Sequence, residues 1–142
     1  MRLARIALFI ALLAMLLAGG QPAYAQSKTL VWELYDVSLT VLPSGDLRVV
    51  ERQRIRFTSG TFTFGYATIP LSKTEGIDGV AVSEPGGAQY QETSFGEEPS
   101  TFTTSTYEGD LEIRWFFPPT ANASRTFDLA YTVHGAIRVN DS

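Results

Sequence analysis

Tyr35-Asp36-Val37-Ser38-Leu39-Thr40-Val41, the turn Pro43-Ser44-Gly45-Asp46, and Leu47-Arg48-Val49-Val50-Glu51-Arg52-Gln53-Arg54-Ile55-Arg56-Phe57 decide the fold. Before the turn the apolar residues share one parity and the polar ones the other, the period-2 pattern of a half-buried strand. After it, Leu47, Val49, Ile55 and Phe57 share a parity while Arg48, Arg52, Arg54 and Arg56 take the opposite one. Pro43 pre-sets φ for a turn and Gly45 accepts positive φ, so the two runs pair as an antiparallel hairpin. Glu51 and Gln53 break the pattern by standing on the apolar parity. Three readings account for them: the strand's middle lies beyond the sheet edge, a bulge near Glu51-Arg52-Gln53 flips the parity, or Glu51 is buried and paired with an arginine.

The same grammar recurs downstream. Thr61-Phe62-Thr63-Phe64-Gly65-Tyr66 alternates and ends at Ile69-Pro70, where proline lacks a ladder N–H. Val80-Ala81-Val82 and Gln89-Tyr90-Gln91 flank Glu84-Pro85-Gly86-Gly87 as a second hairpin. Thr93 to Ser100 reads as a surface loop. Thr101 to Tyr107 and Leu111 to Phe117 bracket Glu108-Gly109-Asp110 as a third hairpin, stopped by Pro118-Pro119. Arg125 to Val133 is a further strand, and Ala136-Ile137-Arg138-Val139 begins another after Gly135. No segment after residue 25 carries a helical period. The reading is an all-β sandwich of immunoglobulin-like or Greek-key character with roughly eight strands, a closed barrel being the alternative. The expected core includes Val37, Leu39, Val49, Ile55, Phe62, Phe64, Ile113, Trp115, Leu129 and Tyr131, with Trp32 at its margin.

The first 25 residues stand apart. Arg2 and Arg5, the apolar run Ile6 to Ala18, and Ala23-Tyr24-Ala25 form a helical secretory signal peptide, so the mature domain spans residues 26–142. The run falls short of the roughly 20 apolar residues needed to span a bilayer, which disfavours a retained anchor. The chain has no cysteine, so an exported domain here depends on its core and not on disulfides. Two of the eleven Lys/Arg precede Gln26, leaving nine against fifteen acids, a net charge of −6 that argues against nucleic acid and anionic lipid as partners.

The chemistry-bearing residues are sparse. One histidine, His134, and no cysteine make no ordinary zinc or transition-metal site. Glu97, Glu98, Glu108 and Asp110 lack EF-hand spacing for a hard ion. No serine sits in a G-x-S-x-G elbow, and no glycine-rich phosphate loop opens a helix. The expectation is a protein without catalytic, cofactor or metal residues. Asn122-Ala123-Ser124 fits a glycosylation acceptor and marks an exposed loop. The sharpest surface feature is the arginine row Arg48, Arg52, Arg54 and Arg56. It is either an interaction surface for an acidic partner or a set of cross-strand pairs with acids such as Asp36, Glu112 or Asp128. Tyr90, Phe95, Phe102 and Phe116 read as exposed aromatics able to dock a glycan or peptide.

The order of Trp32, Tyr35-Asp36-Val37, Pro43-Ser44-Gly45-Asp46-Leu47, Val49-Val50-Glu51 and Phe57 resembles the start of domain-of-unknown-function family 2207. Gly60 with Phe62, Ile69-Pro70-Leu71, Ile77-Asp78-Gly79-Val80, Ile113-Arg114-Trp115, Arg125-Thr126-Phe127, Tyr131 and Gly135-Ala136 extend it. Ala67-Thr68 stands where a basic residue often precedes the Ile-Pro step. The resemblance implies an extracytoplasmic β-rich domain ahead of transmembrane helices, attached to the membrane through a C-terminal segment beyond Ser142. It brings no catalytic residue to any position. The implied role is a non-catalytic sensing, scaffolding or adhesion module; the alternative is a secreted protein that binds glycans or peptides.

Overall fold

The computed structural model describes residues 27–87 and 89–137. The signal-peptide reading of residues 1–25 lies outside them, as does most of the strand expected from Ala136, whose described residues Ala136 and Ile137 carry no strand. Eight strands form: β1 (Thr29–Val41), β2 (Leu47–Ser59), β3 (Phe62–Pro70), β4 (Gly76–Ser83), β5 (Gln91–Glu92), β6 (Thr101–Tyr107), β7 (Asp110–Thr120) and β8 (Ala123–His134). They build two four-stranded sheets, β1-β2-β8-β4 and β3-β7-β6-β5. All pairings are antiparallel except the short parallel contact of β5 with β6.

The first hairpin forms as its sequence dictates, with Gly45 at φ 88° in the turn. β6 and β7 close through Glu108 and Gly109 alone, both at positive φ, the two-residue turn whose twist matches the flanking strands. The segment around Glu84–Gly87 makes only a single bridge, Ser83 to Gln89, before the chain crosses to the other sheet. β7 runs through Pro118 and Pro119 where a stop was expected. The reason lies in the pairing. β6 leaves β7 after Phe116, and β7 bulges against β3: Phe64 pairs with Phe116 and Phe62 with Thr120, so that Phe117, Pro118 and Pro119 stand opposite Thr63 alone. The prolines therefore sit where no ladder N–H is required.

The core lies between the sheets. Val49, Ile55 and Phe57 of β2, Phe127, Leu129, Tyr131 and Val133 of β8, and Val82 of β4 meet Leu111, Ile113, Trp115 and Phe117 of β7. Aromatic contacts cross the interface, with ring centroids 5.6 Å apart for Phe57–Phe117 and for Trp115–Phe127. Gly65 is what lets Trp115 in: a Cβ there would stand 2.4 Å from the indole, a distance no side chain tolerates.

Several expected core positions are exposed. Every residue of β1 is solvent-accessible, Val37 and Leu39 included, because β1 pairs only with β2 and lies outside the packed core. Trp32 is likewise half exposed. Phe64 is exposed for another reason: the bulge between Phe62 and Phe64 reverses parity. Phe62 packs on Phe57, Gly65 turns inward, and Phe64 turns outward beneath the Arg114 guanidinium. Conversely, Tyr90, Phe102 and Phe116 are buried, and only Phe95 of that group is exposed.

Truncating Trp115, 1% exposed, to Ala should cost about 3–5 kcal/mol. Leu39→Ala at 63% exposure should stay within about 0.5 kcal/mol of the parent in urea unfolding. A Leu39→Ala loss as large as that of Trp115→Ala would mean that β1 is covered in solution.

Candidate functional site

A bulge between Trp32 and Leu34 sets the character of β1. The extra residue, Glu33, shifts parity, so Leu30 and Trp32 before it and Tyr35, Val37, Leu39 and Val41 after it share the sheet face that bears the core residues of β2. Their register partners are Phe57, Ile55, Gln53, Glu51, Val49 and Leu47. Six large side chains thus stand on the core-side face and meet solvent. At the Leu30–Trp32 end this face opens into a cleft of about 450 Å³, floored by Ile55, Phe57, Trp115 and Phe127 and bounded across the gap by β3.

Two polar atoms at the cleft lack protein partners. Trp115 Nε1 and Gln53 Oε1 are both buried, one a donor and the other an acceptor. Fully buried polar groups without partners are uncommon.

Glu51 lies next along the same face. It is only 8% exposed, and it is partnered by phenols and not by an arginine. Tyr131 Oη donates to Oε1 at 2.6 Å, Tyr35 Oη to Oε2 at 2.8 Å, and Gln53 Nε2 to Oε2 at 3.2 Å. β2 has no register shift at this point, so neither a bulge nor an overhanging middle explains the parity. Desolvation and the Glu51 hydrogen bond push the Tyr35 phenol up to about 12 and raise that of Tyr131 as well. Both phenols stay protonated and keep donating over the physiological range.

The four arginines do share the outer face of the same sheet. Arg52 makes a two-pronged pair with Asp128, Nε–Oδ1 at 2.8 Å and Nη2–Oδ2 at 2.7 Å. Arg54 Nε donates to Glu33 Oε2 at 2.8 Å, and Arg56 lies 3.9 Å from the same carboxylate. Arg48 donates weakly to Gly79 O and Thr132 Oγ1. Of the acids considered from sequence, Asp128 is a partner, Glu112 pairs instead with Arg114, and Asp36 lies near Arg52 without an ion pair. Arg52 and Arg54 also border a shallow hollow with Arg125, whose guanidinium is bound by Glu84.

His134 closes the end of β8. Its Nδ1 lies 3.1 Å from Asp46 Oδ2 in the first turn and its Nε2 3.0 Å from Asp78 Oδ2 in β4. The hydrogen bonds to Asp78 and then Asp46 raise its pKa. Among the described residues no group of three or more potential metal ligands gathers. Nor is any helix long and apolar enough to cross a membrane.

The arginine row was visible as strict alternation. The β1 face was obscured by the bulge, although aromatic Trp32 and Tyr35 on opposite parities signal a parity change. Trp115 and Gln53 as cleft atoms left no sequence signal, because pairing across two sheets decides which polar atoms go unmet.

Tyr131→Phe should destabilise more than Tyr35→Phe. It strips Oε1 of its only hydrogen bond, at about 1–3 kcal/mol, whereas Oε2 keeps Gln53. Equal losses in denaturant unfolding would contradict this division. For His134 the raised folded pKa means stabilisation fully present below the unfolded value near 6.5 and lost as pH rises through the folded value. The stability gap between the parent and His134→Gln should therefore be wider at about pH 5.5 than at about pH 9. A gap that widens with pH refutes the clamp.

The description "predicted membrane protein (DUF2207) N-terminal domain" matches residues 32–142. No curated protein matches the chain, and no solved structure does.

Proposed function

From the premise that the chain belongs to the DUF2207 family of predicted membrane proteins, as their N-terminal domain, we propose that it is a non-catalytic docking module held outside the cytoplasm. The observation that carries this reading is the open core-side face of β1 with its adjoining cleft. Monomeric domains seldom expose contiguous apolar surface, and where they do it commonly meets a partner. Six apolar or aromatic side chains on one strand face form such a surface. The domain serves sensing, scaffolding or adhesion by receiving another protein there, ahead of the membrane-attached part of its own chain.

The export signal read at Arg2, Arg5, Ile6–Ala18 and Ala23-Tyr24-Ala25 supports the extracytoplasmic placement. The non-catalytic part is supported by how the described titratable groups are engaged. The histidine lies between two carboxylates, and Glu51, the buried carboxylate among the described residues, accepts from two phenols and an amide. Such groups are engaged in holding the fold.

A glycan-binding role is the second reading, favoured by Trp32 and Tyr35 packed edge to face at 5.7 Å on the exposed strand and by the donor and acceptor in the cleft. Sugars stack on such rings and hydrogen-bond at their margins.

These 142 residues contain no cysteine, so Ser38→Cys, in a full-length protein cleared of any cysteine outside them, gives a single reporter on the outer face of β1. A membrane-impermeant maleimide should label it in cells with a permeable outer layer, and labelling only after lysis overturns the placement. A photo-crosslinker at Leu39 should form a discrete protein adduct that one at exposed Tyr107 does not. Equal adducts, or none at Leu39, overturn the docking reading.

A further inference from the structure

Among the described residues the two sheets end in four edge strands, and three of these edges are blunted. β5 is two residues long. β4 is irregular between Asp78 and Ala81, with Gly79 at positive φ. β3 pairs irregularly between Phe62 and Phe64 and ends in Pro70. These are the ordinary devices that stop a sheet from pairing with foreign strands. β1 is different. Its irregularities lie at Thr29/Leu30 and Trp32/Leu34, and from Leu34 to Val41 it runs as a regular edge without proline, lysine or further bulge.

That unprotected stretch has two distinct faces. Inward stand Tyr35, Val37, Leu39 and Val41, all exposed. Outward stand Leu34, Asp36, Ser38 and Thr40, beside Arg54, Arg52, Val50 and Arg48. Across the outer face the charges of one row alternate from β8 through β2 to β1: Asp128, Arg52, Asp36. Arg52 commits both prongs to Asp128, so Asp36 ends the row without a cation of its own. The next place in that row is the neighbouring position on a strand added beyond β1. A base there completes the alternation.

We propose that the Leu34–Val41 edge of β1 receives an extended segment of a partner protein that alternates apolar and basic residues, adding a fifth strand to the β1-β2-β8-β4 sheet. Its apolar side chains continue the face of Tyr35, Val37 and Leu39 over the open side of the sandwich, and a lysine or arginine lies beside Asp36. Backbone pairing supplies the affinity and the alternating side chains the selectivity. A second copy of this chain fits poorly. The outer face of β1 carries Glu33 and Asp36 but no base, so pairing β1 with its own copy brings no cation to Asp36.

This inference rests on the docking reading above and specifies its partner. The test uses the purified chain with two fluorescent, end-blocked peptides, one alternating valine with lysine and the other valine with glutamate. The lysine peptide should bind, with hydrogen-exchange protection gained in Leu34–Val41. Asp36→Lys should weaken it roughly fivefold or more and reverse the preference toward the glutamate peptide. Leu39→Asp, at a solvent-exposed position, should weaken both while leaving the thermal midpoint unchanged. Binding of the two peptides with equal affinity, or an affinity insensitive to Asp36→Lys, overturns the charge assignment. Dimerisation in sedimentation that is lost in Leu39→Asp assigns the edge to a second copy and overturns the partner. Protection of the Leu30–Trp32 cleft by a soluble oligosaccharide, with none at Leu34–Val41, overturns strand addition in favour of a glycan. Should neither peptide bind while the Leu39 crosslink in cells persists, the partner chemistry fails and the docking reading stands; loss of both removes both.

Discussion

Glu51 fixes where the two-layered part of the domain ends. A carboxylate on the core side of a strand costs several kcal/mol unless donors surround it. Here the donors come from three strands: Tyr35 of β1, Gln53 of β2 itself and Tyr131 of β8. Their convergence makes a polar seam between the packed core of β8 and β7 and the open face of β1. On one side of the seam Leu129 and Phe127 are fully buried; on the other, Val37 and Leu39 are wet. Tyr35 is the member that bridges the two, half exposed yet anchored by its hydroxyl. β1 is thereby held in register by more than its ladder, without being part of the core.

The core stands without β1 because aromatic packing concentrates elsewhere. Phe57, Phe117, Phe127 and Trp115 form a contiguous group across the sheets, and Gly65 vacates the volume that the indole fills. A domain without cysteine has no covalent staple, so such packing must supply its stability. Arg125 extends this economy at the rim, laying its guanidinium over Phe117 while bound to Glu84, which also accepts from Tyr90. The Tyr90 phenol, desolvated and hydrogen-bonded to that carboxylate, is raised far above its ordinary range and remains a donor.

Much of this was legible in the residues, and the failures share a cause. β2, β7 and β8 keep one parity throughout their core lengths, so Val49, Ile55, Ile113, Trp115, Leu129 and Tyr131 were correctly placed by alternation alone. Alternation reports that two faces differ in polarity, and it says nothing about whether a second layer covers the apolar one. That is why Val37 and Leu39 were misplaced. Phe64 failed because a bulge shifts parity without leaving a turn signal. Pro118 and Pro119 misled because a proline interrupts a ladder only where a neighbour needs its N–H, and here neither β6 nor β3 does. The arginine row was readable as a face, but its pairing depended on Glu33, which entered that face only through the β1 bulge.

The same bulge connects the two faces of the sheet energetically. By turning Glu33 outward it gives Arg54 a carboxylate and Arg56 a distant one, so the outer row is largely balanced within the domain. Exposed pairs of this kind contribute little to stability. An acidic partner would have to displace acids already in place. The inner face has no such internal competitor. Its apolar side chains belong to a strand whose register is already fixed by β2 and by the Tyr35 hydroxyl, so covering them requires no unfolding and little reordering of backbone. Binding to a preorganised edge avoids much of the entropy that ordering a mobile loop would cost. A strand left uncovered by a core that packs without it is the geometry that the proposed docking role requires.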